Sequence, residues 1–243
     1  MIGIIVEVAL SWVILRFFTK QNLNVLGLVP ARKSLAEFGL GLLMAATMSL
    51  LYYQLTAIAS GSYWMLNESY SFKIFIQSLW YVTKSVLFEE FLFRGALLYI
   101  LILRLGGLKA CWISAIAFGV YHWFSYGIIG NLQPMIFVFL LTGTWGLMFA
   151  YAYAKTGSML LPIALHLGWN VVNLIVFSQG NIGDQLLIGM GGKPLEGMMS
   201  LAMFILQWLG LPAIVFGYFK YRVSINKRVS TNKMVETIED NKP

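Results

Sequence analysis

Apolar runs long enough to cross a lipid bilayer recur from residue 1 to about residue 220, with no long polar stretch between them. They fall at about 1–18, 37–58, 74–104, 109–127, 132–154, 158–178 and 198–219. Inside a bilayer each backbone N–H and C=O must find its partner within the protein, so runs of this length form helices. The expected fold is an all-α, polytopic membrane bundle of about seven spans, within a range of six to eight. Composition agrees: 59% of the 243 residues are hydrophobic and 11% are charged, whereas soluble domains carry roughly a quarter charged residues. We read residues 1–220 as a single transmembrane domain and 221–243 as a basic tail. No soluble catalytic domain fits, so any chemistry has to come from the spans or their short connections. The first run lacks a basic stretch before it and a small-residue cleavage site after it, which makes it a retained span rather than a signal peptide, weakened by Glu7.

The basic residues orient the bundle. With the N-terminus outside, one side collects Arg16, Lys20, Arg32, Lys33, Arg104, Lys109, Lys155 and the tail residues Lys220, Arg222, Lys227, Arg228, Lys233 and Lys242. The other side holds only Lys73 and Lys193. Cytoplasmic loops carry the excess of Lys and Arg, so the expected C-terminus is cytoplasmic. Splitting 74–104 into two full crossings would invert everything after it, which favours one tilted or kinked crossing there, or a crossing with an interfacial extension. The stretch from Asn22 to Lys33 reads as an interfacial connection. Glu236, Glu239 and Asp240 dilute the tail's charge, and no aromatic residue follows Tyr221 to stack on bases. Such a tail meets anionic headgroups, not nucleic acid. The single cysteine, Cys111, rules out an intrachain disulfide and cysteine-based metal frameworks.

Few ionisable groups remain inside the spans, and a charge at a span's centre costs about 2.5–3.5 kcal/mol on insertion scales. Besides Glu7 in the first run and Lys84 in the third, they are Glu89, Glu90 and Arg94 in the third run, and His122 and His166, the chain's two histidines; Asn170 adds a carboxamide. Glu90 and Arg94 are four apart and share a helix face as an ion pair, while Glu89 points about 100° away. His166 and Asn170 are also four apart and share a face. At a rise of about 1.5 Å per residue, Glu89 lies about 22 Å from Arg104, His122 about 20 Å from Lys109, and His166 and Asn170 about 16 and 22 Å from Lys155. Similar depth on three spans is what one intramembrane polar cavity requires.

A carboxylate, two imidazoles and a carboxamide include no convincing Ser or Cys nucleophile, which leaves water. A buried glutamate can act as the general base on that water, with one imidazole sharing its proton. The other imidazole and an amide N–H can hold an oxyanion. The same Glu and two His could instead be zinc ligands, with water completing the site, although no HExxH helix is present. A transporter is a weaker reading, because the chain shows no internal repeat and no paired broken helices.

Phe88-Glu89-Glu90-Phe91-Leu92-Phe93-Arg94-Gly95 resembles the EExxxR block of the CPBP family, which comprises the type II CAAX prenyl endopeptidases and the bacteriocin-processing or immunity proteins. Phe118 to His122 matches the family's FxxxH block, and His166 to Asn170 its HxxxN block. Lys155-Thr156-Gly157-Ser158 leading to Pro162 is similar to the family's approach to that third block. The resemblance covers about residues 75–178, a protease-like core. It implies an intramembrane endopeptidase of a bacterial plasma membrane, acting on a lipid-anchored or membrane-associated peptide. By that resemblance Glu89 and His122 activate water, His166 and Asn170 hold the oxyanion, and Glu90 and Arg94 support the site. No cofactor is then expected, with zinc as the runner-up in a metal-dependent version. Expected partners are a peptide or lipidated-protein substrate and membrane lipids. A non-enzymatic immunity or regulatory scaffold of the same fold is the alternative.

Overall fold

A computed structural model describes residues 2–29, 31–177 and 185–240, with side chains through residue 222. Tail residues Lys227, Arg228, Lys233 and Lys242 therefore lie outside the described side chains. The chain folds as eight α-helices among the described residues: α1 (Ile2–Thr19), α2 (Arg32–Ser60), α3 (Phe72–Arg94), α4 (Ala96–Leu105), α5 (Gly107–Ser125), α6 (Leu132–Thr156), α7 (Leu160–Val171) and α8 (Gly197–Asp240). By length and apolarity α1, α2, α6 and the first 26 residues of α8 can each cross a membrane. The protein is thus a polytopic helical membrane protein. The helices carrying the ionisable groups, α3 and α5, are long enough but less apolar, and the apolar stretch from Leu160 to Val176 is short.

The long third run is broken. A side chain at Gly95 would place its Cβ 2.3 Å from the carbonyl oxygen of Phe91, so glycine is what lets the backbone leave α3 and start α4 at once. The direction of travel survives the break. Gly3 and Ser11 of α1 lie against Phe88 and Gly95, and Ile14 and Phe18 share a groove with Leu97 and Leu101 of α4. So α1 runs alongside α3 and then α4 in the same sense, and the two helices make one kinked path.

Contacts between connections define the two ends of the bundle. At the end that carries most lysines and arginines, the α1–α2 connection forms a 3-10 turn, Leu23–Leu26, and packs on the α6–α7 turn. Leu26 is fully buried, its carbonyl accepts from Met159 N–H at 3.0 Å, and Ser158 Oγ donates to the Gly27 carbonyl at 2.6 Å. Gly27 has φ +65°, and a Cβ there would lie 2.4 Å from the Gly157 carbonyl, so the contact is backbone on backbone. At the same end Arg222 of α8 pairs with Glu37 of α2 at 2.7 Å.

Among the described residues, the opposite end holds the exception to an all-helical fold. Strands β1 (Ser62–Leu66) and β2 (Leu187–Gly191) pair antiparallel, with Ser62 opposite Gly191 and Leu66 opposite Leu187. This pairing ties the α2–α3 connection to the segment before α8. Trp64 packs on Phe177, which stacks on Tyr53 of α2. The α5–α6 connection closes here too, as Trp123 Nε1 donates to the Met135 carbonyl at 2.8 Å.

The core between the ends is formed by close helix pairs. A Cβ on Gly168 of α7 would lie 2.7 Å from the Leu42 carbonyl of α2, and one on Gly41 would lie 2.8 Å from Leu161. Small residues at such contacts let membrane helices approach closely where apolar burial alone gives little drive. After α7 the helix widens into a π turn, Val172–Val176.

Candidate active site

Helix α3 sends its two adjacent carboxylates into different surroundings. Glu90 and Arg94 are both fully buried. Arg94 Nη1 donates to Glu90 Oε1 at 3.3 Å, and Nη2 donates to the Gly146 carbonyl of α6, also at 3.3 Å. The guanidinium lies over the Phe118 ring, 4.2 Å from its centroid, an arrangement that stabilises a cation away from water. Glu89, one residue earlier, turns instead into a cavity of about 610 Å³.

His122 of α5 and His166 of α7 face Glu89 across that cavity. Their Nε2 atoms lie 3.9 and 3.8 Å from Glu89 Oε2. The other nitrogen of each ring is occupied. His122 Nδ1 is 2.8 Å from the Phe118 carbonyl, an atom that can only accept, so Nδ1 carries the proton. His166 Nδ1 is 2.8 Å from Glu90 Oε1, which already accepts from Arg94, so this nitrogen also donates. Each imidazole is thereby fixed with Nε2 towards Glu89. The His166 ring is held further by stacking on Phe149 of α6, centroids 4.8 Å apart and planes 19° apart.

Three atoms that accept when both rings are neutral thus converge at separations too long for direct hydrogen bonds. Glu89 Oε2 is buried and has no hydrogen-bond partner among the described residues. Polar groups separated by more than about 3.5 Å invite an intervening water, whose two protons serve two of these three acceptors, while the third has to carry a proton to donate to a lone pair of the water. Asn170, one turn beyond His166, lines the same cavity, as do Tyr126, Asn173 and Gln207.

A zinc ion would need its donors at about 2.0–2.2 Å in a tetrahedral array, hence nearer to one another than these pairs are. Among the described residues no group of three His, Cys, Asp or Glu side chains is arranged to hold a metal ion. As they stand, Glu89, His122 and His166 do not fit that ion.

The structure therefore brings Glu89, His122 and His166 together, puts Asn170 on the same wall, and joins Glu90 and Arg94 behind them. It adds a link that helical spacing does not reveal, the Glu90–His166 hydrogen bond between residues 76 apart. Phe118 has a double part: its carbonyl orients His122 and its ring covers Arg94. Its place four residues before the histidine is the signal for the first. Phe149 and Gly146 carry no signal in the sequence, because their partners come from other helices.

No curated protein and no solved structure matches the chain. A family model described as type II CAAX prenyl endopeptidase Rce1-like does match, over residues 71–172. That interval holds all three motifs and spans α3 to the end of α7. The match agrees with the resemblance the motifs carry: over residues 71–172 the chain is similar to the Rce1-like type II CAAX prenyl endopeptidases.

Proposed function

We propose that this protein is an intramembrane endopeptidase that hydrolyses a peptide bond with water activated by Glu89. One observation carries the reading: a buried Glu89 oxygen, unpartnered among the described residues, faces two imidazole Nε2 atoms at water-bridging distance. In this reading Glu89 takes a proton from water as the oxygen attacks the carbonyl carbon. His122 Nε2 accepts the second water proton's hydrogen bond and aims the attacking lone pair. The carbonyl π electrons move to oxygen. The resulting oxyanion accepts from the Asn170 side-chain N–H and from Nε2–H of a doubly protonated His166. Glu90 compensates that ring's charge through Nδ1, as the carboxylate does in hydrolase triads. Glu89 then passes its proton to the leaving nitrogen, the C–N bond breaks, and an amine and a carboxylic acid leave.

The proposed substrate is a lipid-anchored or membrane-associated peptide, and the proposed setting is a bacterial plasma membrane with the N-terminus outside and the C-terminus cytoplasmic. The basic residues at one end of the bundle support that orientation. The tail meets lipid headgroups in this reading. A zinc-dependent form would require the three donors to draw together around the ion. Purified protein given a quenched fluorescent membrane-peptide library tests the proposal. Cleavage that persists with a strong chelator is expected. Activity lost to chelator and restored by zinc would move the reading to the metal form. No cleavage of any peptide would favour a non-enzymatic immunity or regulatory scaffold.

A further inference from the structure

A second concavity, of about 420 Å³, lies between α1, the α3–α4 kink and α5. Ile14 and Phe18 of α1, Leu97 and Leu101 of α4, and Ile113 and Ala117 of α5 form its walls. Leu98 is fully buried beneath it, whereas Phe18, Leu97 and Ile113 are exposed at its rim. Ser114 is the one polar side chain in its lining, and its hydroxyl proton is spent on the Phe93 carbonyl at 3.1 Å. A polar occupant would give up its water partners there without replacement, so the groove suits hydrocarbon.

The length of the groove fits one leaflet. Its lining runs from Leu92 to Leu101, roughly 13 Å at about 1.5 Å per residue, close to half of the ~30 Å hydrocarbon core. Past Leu101 the same walls turn basic. Arg104 follows Leu101 by three residues and Leu97 by seven, and so lies on the face of α4 that lines the groove. Lys109 precedes Ile113 by four and shares its face of α5. Both are exposed, on either side of Gly106, where the turn is open enough that a Cβ would meet nothing within 4 Å. Neither has a carboxylate partner. Among the described residues the one carboxylate at this end of the bundle, Glu37, is taken by Arg222 at 2.7 Å.

We propose that this groove binds one anionic phospholipid, an acyl chain lying between α1, α4 and α5 and the phosphate held by Arg104 and Lys109. Lipid tails are as apolar as the groove, so hydrocarbon alone would select little. Selection comes from the two unpaired cations at the groove's polar end. The chain also has a place in the packing, because its deep end lies on Phe93, whose ring meets Phe118 edge-on with centroids 5.1 Å apart. Phe118 in turn orients His122. Lipid binding here does not depend on the endopeptidase reading.

Delipidated protein in detergent, titrated with dioleoyl phosphatidylglycerol or dioleoyl phosphatidylcholine and read by native mass spectrometry, provides the test. One phosphatidylglycerol is expected to bind at least tenfold more tightly than phosphatidylcholine. Arg104→Gln combined with Lys109→Gln should weaken phosphatidylglycerol by about thirtyfold, the scale of two basic residues near a membrane surface, and leave phosphatidylcholine unchanged. Ala117→Phe fills the groove from an exposed position and should weaken both lipids alike. Arg32→Gln combined with Lys33→Gln removes the same charge at the same end but outside the groove, and should change neither. The basic tail is common to every variant. Equal affinity of the wild type for the two lipids would overturn the proposal. A loss in the Arg32 and Lys33 variant as large as in the Arg104 and Lys109 variant would overturn it too, by tracing the preference to the whole basic end. Displacement of the lipid by glycerol phosphate, which has the charge but no chain, would contradict a chain seated in the groove. Should Ala117→Phe fail to fold, the two charge variants still decide.

Discussion

The imidazole of His166 bridges the two adjacent carboxylates of α3: Nδ1 lies 2.8 Å from Glu90 Oε1, and Nε2 lies 3.8 Å from Glu89 Oε2. One ring therefore couples a buried ion pair to the open cavity. It also separates the surroundings of the two neighbours, because Glu90 holds the ring and Glu89 faces the cavity.

Glu90→Gln keeps an oxygen that can accept from His166 Nδ1 but removes the charge that compensates a doubly protonated ring. The turnover rate is expected to fall by about 10²–10³-fold, the scale of losing one oxyanion donor. KM should change little. Steady-state kinetics on a peptide identified from the library would separate the two, and an unchanged kcat would remove Glu90 from the mechanism.

Asn170→Ala deletes the proposed second oxyanion donor without touching the Glu89–histidine triangle. The expected loss in kcat is again about 10²–10³-fold, with inhibitor or substrate binding largely retained. A change confined to KM would instead make Asn170 a substrate-binding residue.

Arg94→Met tests structure rather than chemistry. Removing one partner of a buried ion pair costs about 3–5 kcal/mol, because the other charge is left uncompensated. Arg94 is also the donor to Gly146, so its loss frees α6 from α3. Thermal unfolding in detergent should show a clear fall in Tm, and the double variant Arg94→Met, Glu90→Leu should recover much of it.

Gly168→Ala addresses the α2–α7 contact. The added methyl would meet the Leu42 carbonyl at 2.7 Å and Ala45 at 3.1 Å, with backbone rather than a flexible side chain in the way. Overpacking of this kind costs about 1–3 kcal/mol. Because α7 carries both His166 and Asn170, activity should fall along with the unfolding temperature. An active, fully stable variant would show that α2 and α7 can separate without moving the site.

Much of this architecture is legible in the sequence, for local physical reasons. Apolar runs mark helices because a bilayer leaves the backbone no alternative. The 100° step between neighbours separates Glu89 from Glu90, and the spacing of four joins Glu90 to Arg94. Other features depend on encounters between distant segments. The pairing of Ser62–Leu66 with Leu187–Gly191 joins strands separated by five helices, and neither strand shows a clean alternation of apolar and polar residues. The break at Gly95 hides inside a continuous apolar run, because glycine is common in membrane helices. Depth estimates from straight helices miss that break. They still place the three site residues at similar levels, since α4 continues in the direction of α3. The stacking of Phe149 on His166 was invisible among many apolar aromatics.

The central claim is that Glu89 activates the attacking water, and the most direct measurement is peptide cleavage by purified Glu89→Gln beside wild type. Gln is nearly isosteric and neutral, so the variant should insert, fold and bind peptide as wild type does. Its cleavage rate is expected to drop to background, at least about 10³-fold below wild type, as befits loss of the general base. Proteolysis by a correctly folded Glu89→Gln at the wild-type rate would contradict the account.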